Sequence, residues 1–172
     1  MMAKTHMLTG FAYGVAVYPA VARGDYTIEQ YALVMVGLVI GSLLPDIDHP
    51  HSLISQFIPI VGGVMSRLTK HRGLFHSIVG VVLVYAVLVL VSQYVNRATH
   101  SQLQYFFVAG ALIGYVLHII GDVLTVSGVQ LFYPLRYRVR IPVIRTNGYR
   151  ELILQVSLLV VIAVEVLSYV TH

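Results

Sequence analysis

The chain has 172 residues, of which 58% are hydrophobic and only 10% charged, with a formal net charge of +4 and a mean hydropathy of +0.82. That length suits one domain, and that composition excludes an ordinary soluble globular protein in favour of an integral membrane protein. No long basic run suggests a nucleic-acid partner, and the lack of cysteine excludes disulfides and thiolate metal sites.

The first apolar run, residues 6–22, follows Lys4 and contains Gly10, Gly14 and Pro19. With Ala20-Val21-Ala22 it has the pattern of a signal peptide, but cleavage would remove His6, and the run is read as the first membrane span. A second run covers 28–44 and stops where Pro45 forces its predecessor out of helical geometry; Pro50 repeats the interruption. Asp46, Asp48 and His49 are therefore expected on non-helical backbone, which at membrane depth is tolerated only when buried in protein or lining a wet cavity. Ser52 fits an N-cap for 53–68, where apolar residues recur at helical spacing; this reads as a short interfacial helix, with Pro59 and Gly62-Gly63 as breakers.

His71-Arg72-Gly73 makes a turn, and His76-Ser77 opens the third span, 77–95. The fourth, 102–121, finishes on the stretch from His118 to Asp122. A long loop follows, broken by Pro134, Pro142 and Asn147-Gly148; Arg136, Arg138 and Arg140 alternate along it and read as an anchor to anionic lipid. The last span, 152–170, carries Glu165. The expected architecture is an all-α, polytopic membrane bundle of about five transmembrane helices plus the interfacial helix, in one domain over 1–172.

Charge gives the orientation. With five spans, the amino terminus and the second and fourth loops share one side, which holds Lys4, Arg67, Lys70, Arg72, Arg136, Arg138, Arg140, Arg145 and Arg150; the other side has only Arg23 and Arg97. This bias places the amino terminus and both long loops in the cytoplasm.

Five of the eight histidines and three of the seven acidic residues fall in four clusters: His6; Asp46, Asp48 and His49; His71 and His76; and His118 with Asp122. The topology sends all four to the cytoplasmic edge. A membrane-depth carboxylate costs roughly 2.5–3.5 kcal/mol on insertion scales, so such residues need partners or a task. His118 and Asp122, at i and i+4, share a helical face and form a chelating pair. Singly, Asp122 could merely pair with Arg72 and Asp46 could cap a helix, while His51, His100 and His172 read as headgroup-level or capping residues. As a set, nitrogen and oxygen donors without sulfur favour zinc, with manganese or iron as alternatives. Seven or eight potential ligands exceed what one catalytic ion needs, so two or three divalent ions are expected.

The stretches LPDIDHPHS at 44–52, HRGLFHS at 71–77 and GYVLHIIGDVLTVSGVQLFYP at 114–134 resemble the YdjM family of bacterial and archaeal inner-membrane proteins, described as predicted membrane-bound metal-dependent hydrolases. The resemblance covers nearly the whole chain, from His6 to the basic loop leading to Gly148 and Glu151. One departure is Phe75, where the family usually has threonine. The family is in turn distantly similar to zinc-dependent phospholipase C and the single-strand nuclease fold. The resemblance implies a metal-dependent hydrolase acting on a phosphoester, with a membrane lipid as its substrate class.

On that reading His6, Asp46, Asp48, His49, His71, His76, His118 and Asp122 are the metal ligands, with His49 the least central. Asp48 is the expected proton acceptor, Arg72 would neutralise a phosphoryl oxygen, and Ser77, Thr125 and Glu151 would orient imidazoles. Two other classes compete. A metal transporter or sensor would want ionisable groups near the midplane, whereas the third span has no Asp, Glu, His, Lys or Arg between Ser77 and Tyr94. A cytochrome-b-type haem protein would use two histidines and leave the carboxylates without a role.

Overall fold

The computed structural model describes the whole chain except residues 23, 25, 69–71 and 172. Among the described residues seven α-helices follow in order: α1 (Ala3–Ala22), α2 (Ile28–Gly41), α3 (Leu53–Phe57), α4 (Pro59–Leu68), α5 (Ile78–Thr99), α6 (Gln104–Val123) and α7 (Tyr149–Thr171). Two 3₁₀ turns, Leu44–Asp48 and Leu74–His76, connect them on either side of α3 and α4. Among the described residues there is no β-strand, only the isolated bridges Thr125 to Ile144 and Val129 to Val139 in the loop before α7.

Among the described residues, four segments are long and apolar enough to cross a membrane: Ile28–Asp48, Ile78–Thr99, Gln104–Val123 and Tyr149–Thr171. The chain is a membrane-integral helix bundle. The fifth expected span, α1, is not in that set; Lys4, Thr5, His6 and Thr9 dilute its apolar character. It nevertheless runs alongside α7 for most of its length, since Thr5 donates to Glu151 near the start of both helices and the Tyr169 hydroxyl reaches Val15 O near the end.

Local signals explain the boundaries. Thr27 and Gln30 form a reciprocal capping box that starts α2, while the hydroxyls of Ser52 and Ser77 accept from Ser55 N and Gly80 N to start α3 and α5. Pro45 does not abolish helical winding as expected; it converts the end of the span into a tighter 3₁₀ turn that carries Asp46 and Asp48, and extended geometry begins only at His49. The interfacial segment is two helices, because Ile58 before Pro59 leaves helical geometry.

The centre of the bundle is the α2–α6 crossing, which is built on small residues. A Cβ at Gly37 or Gly41 would overlap the backbone of Phe107 to Ala111, and one at Gly110 or Gly114 would overlap Val34 or Leu38 carbonyls. Gly37-x-x-x-Gly41 therefore faces Gly110-x-x-x-Gly114, a close-approach arrangement typical of membrane helices. It draws the ends of α2 and α6 together, where Ser42 and His118 lie.

Candidate metal centre

Every described polar cluster comes to one end of the bundle: His6 near the start of α1, Asp46 and Asp48 after α2, His76 before α5, His118 and Asp122 in the last two turns of α6, and Glu151 at the start of α7. His6, Asp48, His76, His118, Asp122 and Glu151 are buried. His71, expected among the ligands, lies outside the described residues.

Two histidines present the same nitrogen to a common centre. His118 Nδ1 lies 2.6 Å from Ser42 O; a carbonyl only accepts, so Nδ1 carries the proton and Nε2 keeps its lone pair. That Nε2 is 3.2 Å from His76 Nε2. His76 Nδ1, on the far side of its ring, is 3.6 Å from Asp48 Oδ2. Each imidazole is thus held from behind, one by a carbonyl and one by a carboxylate, and both Nε2 atoms face the same space.

Two carboxylates close that space. Asp46 Oδ1 is 3.6 Å from His76 Nε2 and 3.8 Å from His118 Nε2. Asp122 Oδ2 lies at the same two distances, 3.6 and 3.8 Å. Ligands about 2.0–2.1 Å from a tetrahedral zinc stand roughly 3.3–3.4 Å from one another, so two Nε2 atoms 3.2 Å apart, with an Asp46 and an Asp122 oxygen each 3.6 to 3.8 Å from both, outline a four-donor cage that would contract to close on an ion.

A second group shares two of these residues. His6, His118 and Asp122 bring ligand atoms together, as do Asp46, His76 and His118. The His6 ring stacks on His118 with centroids 3.6 Å apart, and His6 Nε2 stands 3.4 Å from Asp122 Oδ1. Both ring nitrogens of His6 are buried without a hydrogen-bond partner among the described residues. Such a group costs about 1–3 kcal/mol unless something satisfies it. The His118 Nε2 lone pair serves one ion only, so the two groups cannot both be completely filled. Asp122 can join them, with Oδ2 towards the four-donor cage and Oδ1 towards His6. The Met1 amino group also contacts Asp122 Oδ1, and Arg72 Nη2 lies 3.3 Å from Oδ2.

His76 stands outside the membrane-spanning helices. Burial works against its charged form, but Asp46 and Asp48 outweigh this and hold its pKa up at about 9. This much negative potential at an imidazole is the condition a divalent cation exploits.

The remaining expected residues take other places. Asp48 belongs to neither ligand group; its Oδ2 faces His76 and accepts from Arg72 N at 3.2 Å. His49 accepts from His51 N and lines a cavity of about 320 Å³ with Asp46, Arg72, Met1 and Thr146. Ser77, Thr125 and Glu151 are buried, yet their hydrogen bonds run to other groups than imidazoles. Ser77 caps α5 and donates to Leu74 O. Thr125 donates to Asp122 O and lies 3.4 Å from Arg72 Nη1, steadying both. Glu151 accepts from Met2 N, Thr5 Oγ1 and Asn147 N, while Gln155 donates to Thr5, so this network fixes the first turn of α1 and with it His6.

Sequence reasoning missed three contributors. Ser42 acts through its carbonyl, which any residue carries. Tyr115 is buried and donates to Phe75 O at 2.5 Å, bracing the turn that presents His76. Phe75 thus serves the site through its backbone. Thr5 was signalled only by its place beside His6.

Comparison with known proteins fits this arrangement. The profile described as YdjM inner membrane protein matches residues 1–171. The chain is 32% identical over 153 residues to "Inner membrane protein YdjM" of Escherichia coli (strain K12), covering 84% of this chain and 71% of that protein, and the Shigella flexneri protein of the same name gives the same figures. It is also 32% identical over 152 residues to "Uncharacterized protein YvsG" of Bacillus subtilis (strain 168), covering 88% of this chain and 85% of that one. No solved structure matches. A whole-length profile match and relatives at this identity place this chain in the YdjM family of inner membrane proteins.

Proposed function

We propose that the protein is a membrane-bound metal-dependent hydrolase whose site opens to the cytoplasm and which cleaves a phosphoester of the phospholipid type. The four-donor cage of His76, His118, Asp46 and Asp122 carries this reading. It is the first ion position; His6 and Asp122 Oδ1 begin a second, and zinc suits both donor sets. A divalent ion bound there would lower the pKa of a water towards neutrality and draw charge from a phosphoryl oxygen.

The chain's own groups supply the rest. Arg72 lines the cavity beside the cage and touches Asp122, where its guanidinium would pair with a phosphoryl oxygen. Asp46 reaches the same cavity as a cage ligand, while Asp48, outside both ligand groups, holds His76 and the Arg72 backbone and is the unligated carboxylate to take the proton. The cage stands at one end of the bundle, as a site serving one compartment requires, and the positive-inside charge bias supports the cytoplasmic side.

The test is metal analysis of the purified protein followed by turnover of lipid phosphoesters. Asp122→Ala is expected to lose both metal and turnover while still inserting into the membrane; full turnover by that variant would refute the assignment.

A further inference from the structure

Two apolar depressions open on the outer surface of the bundle. One, of about 410 Å³, lies between α5 and α6 and is lined by residues such as Val81, Val116 and Ile120, with Leu131 and Ile141 contributed by the loop. Its lining holds no charged group, so a lipid seated there would have nothing to receive its headgroup. The other, of about 500 Å³, is lined by Met7, Leu8 and Phe11 of α1, Val39 of α2, and Lys4. Lys4, Met7, Leu8 and Phe11 follow the spacing of a single helical face and span about 10 Å of helix, with the exposed lysine at the end nearest the metal centre.

The residue before Lys4 links this groove to the site. Ala3 lines the cavity of about 320 Å³ that also contains Asp46, His49, His51 and Arg72. The first turn of α1 therefore has an apolar groove with a cationic end on one side and the polar cavity of the cage on the other. Leu53 of α3 borders the same cavity and is exposed, as is Phe57 one turn on, so the cavity mouth has an apolar lip suited to the bilayer surface.

We infer that groove and cavity form one site for a membrane phospholipid with a net negative headgroup, which enters sideways from the leaflet. An acyl chain lies along Met7, Leu8, Phe11 and Val39, Lys4 attracts the phosphate, and the headgroup passes Ala3 to reach Arg72 and the cage. The inference rests on the hydrolase reading and narrows its substrate to anionic phospholipids that enter along α1.

Because the chain contains no tryptophan, Phe11→Trp introduces a single fluorophore into the groove. The full-length variant is placed in phosphatidylcholine nanodiscs containing a minor share of phosphatidic acid with brominated chains, or the same share of brominated phosphatidylcholine. Quenching is expected to be about fivefold more effective with phosphatidic acid, the preference one lysine near a headgroup gives. Adding Lys4→Gln should bring the two lipids to parity. Equal quenching with Lys4 in place would mean ordinary bilayer contact and overturn the inference. Leu8→Trp provides a second reporter in the same groove should Phe11→Trp not fold. Selective quenching without turnover by the metal-loaded wild type would sink the hydrolase reading and leave the groove standing. Turnover of a soluble phosphoester with unselective quenching would do the reverse.

Discussion

Asp122 joins the two parts of the centre. One oxygen faces the Nε2 atoms of His76 and His118, the other faces His6 and the Met1 amino group, and Arg72 lies against the carboxylate. Replacing it with asparagine keeps the shape and removes the charge, so Asp122→Asn should lower zinc affinity by at least a hundredfold in a chelator competition. Asp48→Asn acts one step back, on the orientation of His76, and should cost about 10–100-fold in the same assay. Equal affinity in wild type and Asp48→Asn would show that the carboxylate does not orient the ring.

His76 gives the pH dependence its sign. Its folded pKa of about 9 lies above the ordinary 6.5. In the metal-free protein the imidazolium–carboxylate pairing therefore stabilises fully below about 6.5 and is lost as pH rises through about 9. A cation needs the lone pair and must displace that proton. Zinc affinity should rise about tenfold per pH unit between these limits, with proton release visible as a buffer-dependent binding enthalpy. A flat affinity across that range would contradict the assignment of His76 as a ligand.

At the scale of elements, the α2–α6 crossing sets the cage. Gly41→Val would place side-chain atoms inside the Ala111 backbone, so the helices must separate and the Ser42 carbonyl must leave His118. We expect loss of zinc binding together with a fall in thermal stability, whereas Gly63→Ala, whose Cβ meets nothing within 4 Å among the described residues and which lies inside α4, should keep zinc binding and not lower stability. Glu151→Ala would free three donors, two at the start of α1 and Asn147 N just before α7, and should destabilise by about 3 kcal/mol in denaturant titration. Hydropathy made the long helices legible and Pro59 announced the break between α3 and α4. It began the last helix at 152 instead of Tyr149, because Tyr149, Arg150 and Glu151 are polar, and so it left the buried Glu151 network in a loop. Neither the 3₁₀ winding of Asp46 and Asp48 nor the glycine faces that meet across α2 and α6 could be read from apolar periodicity, which records what is greasy and not how closely backbones approach.

At the scale of the whole molecule, residue type and helix-end position were enough to gather His6, Asp46, Asp48, His76, His118 and Asp122 at one end, since consecutive long helices that run back and forth bring alternate ends together. What the chain alone did not reveal was how ligands divide from supports: Ser42 acts through a backbone carbonyl, and Asp48 differs from Asp46 only in the side of the turn it faces. Orientation is testable directly, because the chain has no cysteine. Thr146→Cys, at the cavity, should react with an impermeant thiol reagent only from the cytoplasmic side of inner-membrane vesicles, and Ser101→Cys, between α5 and α6, only from the opposite side. The reverse pattern would turn the site away from the cytoplasm.

The central claim is that imidazoles and carboxylates from separate helices hold a cation together, and X-ray absorption at the zinc edge of the purified, zinc-loaded protein tests it most directly. The account predicts four nitrogen or oxygen neighbours at about 2.0–2.1 Å with outer-shell scattering from at least two imidazoles. A protein that retains no stoichiometric metal after dialysis, or one whose zinc is surrounded by water without imidazole scattering, would contradict it.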